Sequence, residues 1–156
     1  IAAASIARIP EAQAQNLSIT LWSFAKRSFM HVPLLEALSS ASRAKLSDFR
    51  GQDICNTAWA LSHLQVPDAP LLDALAAASI TSSSDLVPPD ISGTAWAFSK
   101  LDCCHEPLFQ SLAPASIRMI AAFPPQCLSP TAWAFAPRPL PDRPLLQAIS
   151  ASALRT

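Results

Sequence analysis

The chain has 156 residues, about half of them apolar, and its 11 Lys and Arg residues balance its 11 Asp and Glu residues. A surface with balanced charge gains little from long-range attraction to RNA phosphates or anionic lipid, so composition argues against a purely electrostatic binder of either. No apolar run approaches the roughly 18 residues of a membrane-spanning helix. The 4 cysteines are too few for a disulfide-built scaffold, which favours a reducing compartment.

A 37-residue period organises the chain, because 59−22, 96−59 and 133−96 all give 37 for the spacing of its tryptophans. These are Trp22, Trp59, Trp96 and Trp133. Prolines follow the same spacing, at Pro33, Pro70, Pro107 and Pro144. A fixed period between about 20 and 50 residues is typical of stacked repeats, in which each unit packs mainly on its neighbours.

The period divides the chain into five segments, and the first is predicted to be the tail of a preceding repeat because residues 5–9 align with residues 42–46. In chain order the segments are the tail at 1–13, repeat 1 at 14–50, repeat 2 at 51–87, repeat 3 at 88–124, and a degenerate, truncated repeat 4 at 125–156.

Each unit is predicted to contain two helices. In the second unit, Asp53 is the expected N-cap of the first helix, as Asn16 and Asp90 are in their units, and apolar residues follow at helical spacing. Pro70 is expected in the first turn of the second helix, where a missing N–H costs nothing. Because the loops are short, the fold is predicted to be an all-α solenoid of antiparallel helix pairs.

The tryptophans are predicted to be core residues. Trp59 shares a helix face with the small residues Cys55 and Ser62, which indicates contact with a neighbouring unit. On this interpretation, replacing Trp59 or Trp96 with alanine costs about 3–5 kcal/mol of stability. The alternative is that the rings are stacking platforms for bases.

On the first helix of each unit, one stripe of residues differs between units, while the positions on either side of it recur from unit to unit. Variation within copies of one unit marks solvent or a ligand, so the stripe is a candidate binding surface, with plain solvent exposure as the alternative. Its candidate ligand residues are Asn16, Ile19, Lys26, Asp53, Asn56, His63, Asp90 and Lys100. If the ligand is RNA, the lysines are expected at phosphates and the asparagines near base edges.

Other features point away from chemistry. Cys103, Cys104, His105 and Glu106 form the one cluster that suggests a metal, but adjacent cysteines lack the spacing of structural zinc sites, so we interpret them as loop residues. His31 aligns with His105 and Asp68 near a helix start, where capping or solvent exposure is the expected role rather than catalysis. Without a nucleophile motif or a Gly-rich phosphate loop, we expect no enzyme activity, no cofactor and no metal.

The repeats resemble the octotricopeptide-repeat family of algae and other protists. The motif is "(L/I)SxTAWAFA" followed about ten residues later by "PLLxAL", as in "DISGTAWAFSKLDCCHEPLF" and "CLSPTAWAFAPRPLPDRPLL". The resemblance implies an organelle, with plastid slightly favoured over mitochondrion, and a helical-repeat protein rather than an enzyme. The fourth unit departs from the pattern at Pro130, Pro137, Pro139 and Pro141, so only the first three units are expected to read RNA.

Two functions remain open. The first is a non-catalytic scaffold subunit that docks onto proteins of a large organellar complex, such as a ribosome or a photosystem. Balanced charge, high apolar content and the altered fourth unit favour it. The alternative is a sequence-selective binder of single-stranded RNA that acts in organellar gene expression, as the family resemblance implies.

Overall fold

A computed structural model describes residues 8–103, 105–137 and 142–155, and every regular element in these ranges is helical. The α-helices are α1 (Ala14–Lys26), α2 (Val32–Ala44), α3 (Gly51–Leu64), α4 (Ala69–Thr81), α5 (Pro88–Lys100), α6 (Glu106–Arg118), α7 (Pro125–Phe135) and α8 (Arg143–Ala153). Short 3₁₀ helices cover Ile9–Glu11, Leu46–Asp48 and Ile120–Ala122. The all-α prediction is confirmed for these ranges. None of their helices is long and apolar enough to span a bilayer.

The helices form two rows. The odd-numbered helices α1, α3, α5 and α7 lie side by side in chain order and make the most extensive contacts in the molecule. We call them the inner row. The even-numbered helices contact one another in the same order and each also contacts the inner helix before it. Consecutive inner helices start 37 residues apart, since 51−14, 88−51 and 125−88 all give 37.

The apolar core lies between the two rows. In the second unit, Ile54 and Leu61 of the inner helix are buried together with Leu71 and Leu75 of the outer helix. Leucines of α1 and α2 form a second cluster that extends to Ala60 of α3. Burial of leucine side chains contributes about 1.5–3 kcal/mol each, so packing between the rows stabilises helices of only 11–14 residues.

The outer helices share one capping arrangement. The residue before each helix accepts a hydrogen bond from the backbone N–H three residues later, over 3.0–3.2 Å. The acceptors are His31 Nδ1, Asp68 Oδ1, His105 Nδ1 and Asp142 Oδ1. The capping role predicted for His31 and His105 is therefore confirmed, and these histidines serve the helix ends.

The predicted caps of the inner helices are wrong. Helix α3 begins at Gly51, so Asp53 is its third residue, and Asn16 and Asp90 hold the same third position in α1 and α5. From there the Asp53 carboxylate accepts the backbone N–H of Arg50 over 3.1 Å. A carboxylate at the third position accepts the backbone N–H of the residue that precedes the helix. In the sequence, such a residue is easily mistaken for the N-cap itself.

The fourth inner helix forms in spite of its prolines. Helix α7 continues through Pro130, although a proline there removes one backbone hydrogen bond. Pro130 is half-buried, and Gln126, the residue whose carbonyl would accept that bond, is exposed. Pro139 and Pro141, like Cys104 and residues 1–7 of the predicted tail, lie outside the described residues.

Candidate functional site: the tryptophan face

The tryptophans lie at the surface of the inner row. Trp22, Trp59 and Trp96 are half-buried, and Trp133 is 51% exposed. Trp59 and Trp96 still pack against buried apolar residues. The prediction that Trp59 and Trp96 are core is therefore confirmed only in part, because both rings pack against the core but neither is fully buried.

The rings are arranged in two pairs along the inner row. The centroids of Trp22 and Trp59 are 6.1 Å apart, and those of Trp96 and Trp133 are 6.3 Å apart, with tilted planes in both pairs. These distances lie within the range of favourable aromatic contacts, about 4.5–7 Å. Each pair bridges two consecutive units, so the rings are held in place before any ligand arrives.

A basic or imidazole side chain lies four residues after the tryptophan in each of the first three units. Lys26 Nζ lies 5.1 Å from the centroid of Trp22, and Lys100 Nζ lies 4.7 Å from that of Trp96. In the second unit, His63 stacks on its tryptophan with centroids 4.7 Å apart. The i, i+4 spacing of tryptophan and a basic residue is visible in the sequence and could have identified this surface, but the sequence analysis placed the tryptophans on a separate, buried face.

These residues belong to a surface that we call the tryptophan face, built from the residues at i, i+4, i+7 and i+11 counted from the second residue of each inner helix, with Pro137 two residues past the end of α7. None of them is buried. By unit they are Gln15, Ile19, Trp22 and Lys26; Gln52, Asn56, Trp59 and His63; Pro89, Gly93, Trp96 and Lys100; Gln126, Pro130, Trp133 and Pro137.

The predicted ligand stripe overlaps this face only in part. Ile19, Lys26, Asn56, His63 and Lys100 lie on the tryptophan face. The remaining candidates, Asn16, Asp53 and Asp90, hold the third position of their helices. Asn16 is exposed, whereas Asp53 lies against Ser18 and Asp90 lies against Gly51 of the preceding inner helix. Both aspartates are buried, at 6% and 8% exposure. The predicted stripe therefore includes residues that lie in the contact between neighbouring inner helices.

We call the contact between two consecutive inner helices a joint, and small polar groups hold each joint. At the first joint, Ser18 donates a hydrogen bond of 2.6 Å to the carboxylate of Asp53. At the third, Ser92 donates to the backbone carbonyl of Cys127 over 3.1 Å. Asp53 therefore has two hydrogen-bonded partners inside the protein and is a structural residue.

The second joint carries a thiol. The Cys55 Sγ lies 3.9 Å from the carbonyl oxygen of Pro89. Burial, and after it the charge of Asp90, raises the pKa of Cys55 to about 12. Burial also raises the pKa of Asp90, with the charge of Asp53 adding to the shift and a hydrogen bond from the Val87 backbone opposing it. The raised pKa keeps Cys55 a thiol at neutral pH, and a thiol is a far weaker nucleophile than a thiolate.

Both glycines of the chain lie at this joint. A Cβ added at Gly51 would be 2.5 Å from Asp90 Oδ2, and one added at Gly93 would overlap Cys55 Sγ. The absence of side chains at Gly51 and Gly93 therefore allows α3 and α5 to approach closely.

Metal ligands do not cluster in the described ranges, where no group of three or more His, Cys, Asp or Glu side chains could hold an ion. Cys104 lies outside those ranges, so the loop interpretation of the Cys103–Cys104 pair stays a prediction.

Nearly the whole chain matches a known family. The family model described as RNA-editing substrate-binding complex 6 protein (RESC6) covers residues 2–151. No curated protein matches the chain.

Proposed function

The chain belongs to the RNA-editing substrate-binding complex 6 protein family, and we propose that it is a non-catalytic subunit that docks onto other proteins of an RNA-editing complex. The proposal includes the architecture suited to that role, an α-solenoid of antiparallel helix pairs with a 37-residue, octotricopeptide-like repeat. Each repeat then contributes one strip of a long docking surface.

The tryptophan face is the observation that supports docking. Tryptophan is enriched among the few residues that dominate protein interfaces, and Trp133 already has half of its surface exposed. Ring pairs and the side chains of Lys26, His63 and Lys100 hold the other rings in place. Binding to such a face loses little side-chain entropy, because the rings are ordered in advance.

An organellar location is part of the proposal, as an expectation from the repeat resemblance and the RNA-editing family. The family assignment lends no support to the expected preference for plastid over mitochondrion. Ribosome and photosystem are replaced as candidate assemblies by an RNA-editing complex.

Single-stranded RNA is a second candidate ligand for the same face. The ammonium groups of Lys26 and Lys100 lie beside aromatic rings, and the amides of Gln52 and Asn56 lie on the same surface. Phosphate contacts, base-edge hydrogen bonds and stacking are the elements of single-strand recognition. Two facts favour protein instead. The net charge is zero, and a lysine or histidine side chain already lies over one face of the tryptophan ring in each of the first three units.

Ribonuclease treatment of the native complex separates the two candidates. The full-length protein is tagged in its own organism, and its assembly is sized before and after digestion. Docking onto protein predicts that the assembly keeps the chain after digestion, and that Trp133→Ala releases it. The matched control is Gln126→Ala, an exposed change on the same face. Release by ribonuclease alone would contradict docking onto protein.

Direct RNA binding gives an independent measurement. We expect the purified chain to bind single strands no more tightly than about 10⁻⁵ M at physiological salt, the range of non-specific binding. Nanomolar binding to a defined strand, lost in a Lys26→Ala, Asn56→Ala, Lys100→Ala triple variant, would establish the RNA candidate.

A further inference from the structure

The tryptophan face differs from the rest of the chain in its charge. The chain has 11 acidic and 11 basic residues, yet the tryptophan face contains no aspartate or glutamate. Its ionisable residues are Lys26, His63 and Lys100, and all three are exposed. The overall balance of charge therefore includes one face that presents only basic side chains.

We call Lys26, His63 and Lys100 the basic row. They are spaced by one repeat, since 63−26 and 100−63 both give 37, so each lies at the same place near the end of its inner helix. Packed helices lie about 8–10 Å apart, so the row presents one basic group about every 8–10 Å along the array. The fourth unit has Pro137 at this position, so the row is followed by an apolar residue.

Among the described residues, the basic row has no carboxylate partner. The one ion pair in that part of the chain joins Arg8 and Glu11. Lys26 Nζ and Lys100 Nζ instead lie 5.1 and 4.7 Å from the centroids of their tryptophan rings. A ring attracts an ammonium group through its π-electrons and does not occupy all three of its N–H donors, so donors remain for an anionic ligand.

We propose that the tryptophan face binds an acidic, extended segment of another subunit, with a carboxylate at every third residue. The proposal rests on docking as the function of this face and adds the chemistry of the partner. A polyproline II segment has three residues per turn and rises about 3.1 Å per residue, so its equivalent side chains are about 9 Å apart. This repeat matches the basic row, so carboxylates at i, i+3 and i+6 can meet Lys26, His63 and Lys100 in turn.

An apolar side chain at i+9 of the segment then lies on the fourth unit. There Trp133 is 51% exposed, and Pro130 and Pro137 belong to the same face. Aromatic surfaces of this kind bind extended, proline-containing segments because such segments lose little entropy on binding. One basic group per unit is a low density for a phosphate chain, which favours a peptide whose carboxylates have the same spacing.

Fluorescence anisotropy with the full-length protein and a labelled synthetic peptide tests the match in spacing. In the peptide, each of three glutamates is followed by proline and alanine, and a phenylalanine ends the sequence. The control peptide has the same composition, with its glutamates in consecutive positions. We expect the spaced peptide to bind at least about fivefold more tightly, because the control can place fewer carboxylates on the row. Equal binding of the two peptides would overturn the proposal.

Removing two charges tests the role of the row. Lys26→Gln combined with Lys100→Gln should weaken binding of the spaced peptide about tenfold, or about two- to fivefold per lysine, as for exposed ion pairs. The matched control is Arg43→Gln combined with Arg118→Gln, which removes the same charge from the last turns of two outer helices. It should change binding less than about twofold, since distant charges are screened. All four residues are exposed, and circular dichroism verifies that both double variants fold. Equal losses in the two double variants would show attraction by net charge alone and reject the basic row as the site.

The native complex separates this proposal from docking itself. We expect the assembly to lose the Lys26→Gln, Lys100→Gln variant at lower salt than it loses the wild type or the arginine control. If the chain stays docked after ribonuclease digestion and the lysine variant behaves like the wild type, the acidic-segment proposal is wrong and docking stands. Release by ribonuclease alone would reject docking. An oligouridine strand that displaces the peptide at submicromolar concentration would assign the row to RNA phosphates instead.

Discussion

The joints and the tryptophan face lie on the same inner helices and differ in an instructive way. At the joints the equivalent residues change between units, as Ser18, Cys55 and Ser92 do, yet Ser18 and Ser92 are buried between helices and Cys55 is partly buried. On the tryptophan face the same large ring recurs in every unit, partly exposed in the first three units and 51% exposed at Trp133. Repetition along this chain therefore reports a geometry that all units share, and it does not by itself report burial.

Side-chain size explains why the joint residues are enclosed between helices and the tryptophans are not. The joints hold the small residues Ser, Cys, Ala and Gly, and a Cβ added at Gly93 would already collide with Cys55. An indole ring does not fit such a contact, so the rings lie at the edge of the joint. There the rings of neighbouring helices meet, with centroids 6.1 Å apart in the first pair. The small residues set the approach of the helices, and that approach sets the spacing of the rings.

The reactivity of Cys55 offers the largest expected effect. Because the pKa of Cys55 is raised from 9.0 to about 12, its thiolate fraction at pH 8 falls about a thousandfold. We expect Cys55 to be alkylated by iodoacetamide about a thousandfold more slowly in the folded chain than in urea, measured by mass spectrometry of the Cys55 peptide. A folded rate within about tenfold of the unfolded rate would mean that the joint opens readily.

Truncating two neighbouring aromatic residues compares the core with the face directly. Phe98 is fully buried, so Phe98→Ala should lower the free energy of unfolding by about 3–5 kcal/mol. Trp96 is larger but only half-buried, so Trp96→Ala should cost about 1–2 kcal/mol. Urea denaturation measures both. Equal losses would restore the core interpretation of the tryptophans.

The first joint can be weakened at one carboxylate. Asp53→Ala removes the acceptor for Ser18 and for the Arg50 N–H, and we expect a loss of about 1–3 kcal/mol. Asn56→Ala, one turn later on the tryptophan face, is the matched control and should stay within about 0.5 kcal/mol of the wild type. If Asp53→Ala lowers the free energy of unfolding no more than Asn56→Ala does, Asp53 has no structural role.

Trp133 gives the smallest effect on stability. With half of the ring exposed, Trp133→Ala should lower the free energy of unfolding by less than about 1 kcal/mol. The same change is expected to weaken docking, because exposed tryptophans dominate interfaces. Calorimetry measures the change in stability, and the native-complex assay measures the loss of docking. A large stability loss would assign Trp133 to the array's own packing.

Several features of this protein were determined by the sequence alone. The 37-residue period, the helical content and the caps at His31 and His105 are local or periodic properties, and all follow from spacing and residue type. The polar face of the inner helices was also found in part, because Lys26, Asn56, His63 and Lys100 lie on the tryptophan face.

Only the tertiary structure decided which side of each inner helix is covered. A period of 3.6 residues fixes which side chains share a face, but the direction from which the neighbouring helix approaches is a property of the assembled array. That direction buries Asp53 and Asp90, which had been grouped with the ligand residues, and leaves the tryptophans at the surface. The joint and the tryptophan face are adjacent on each inner helix, so a small angle around the helix axis separates them. A carboxylate on the first is enclosed by protein, whereas a side chain on the second meets solvent.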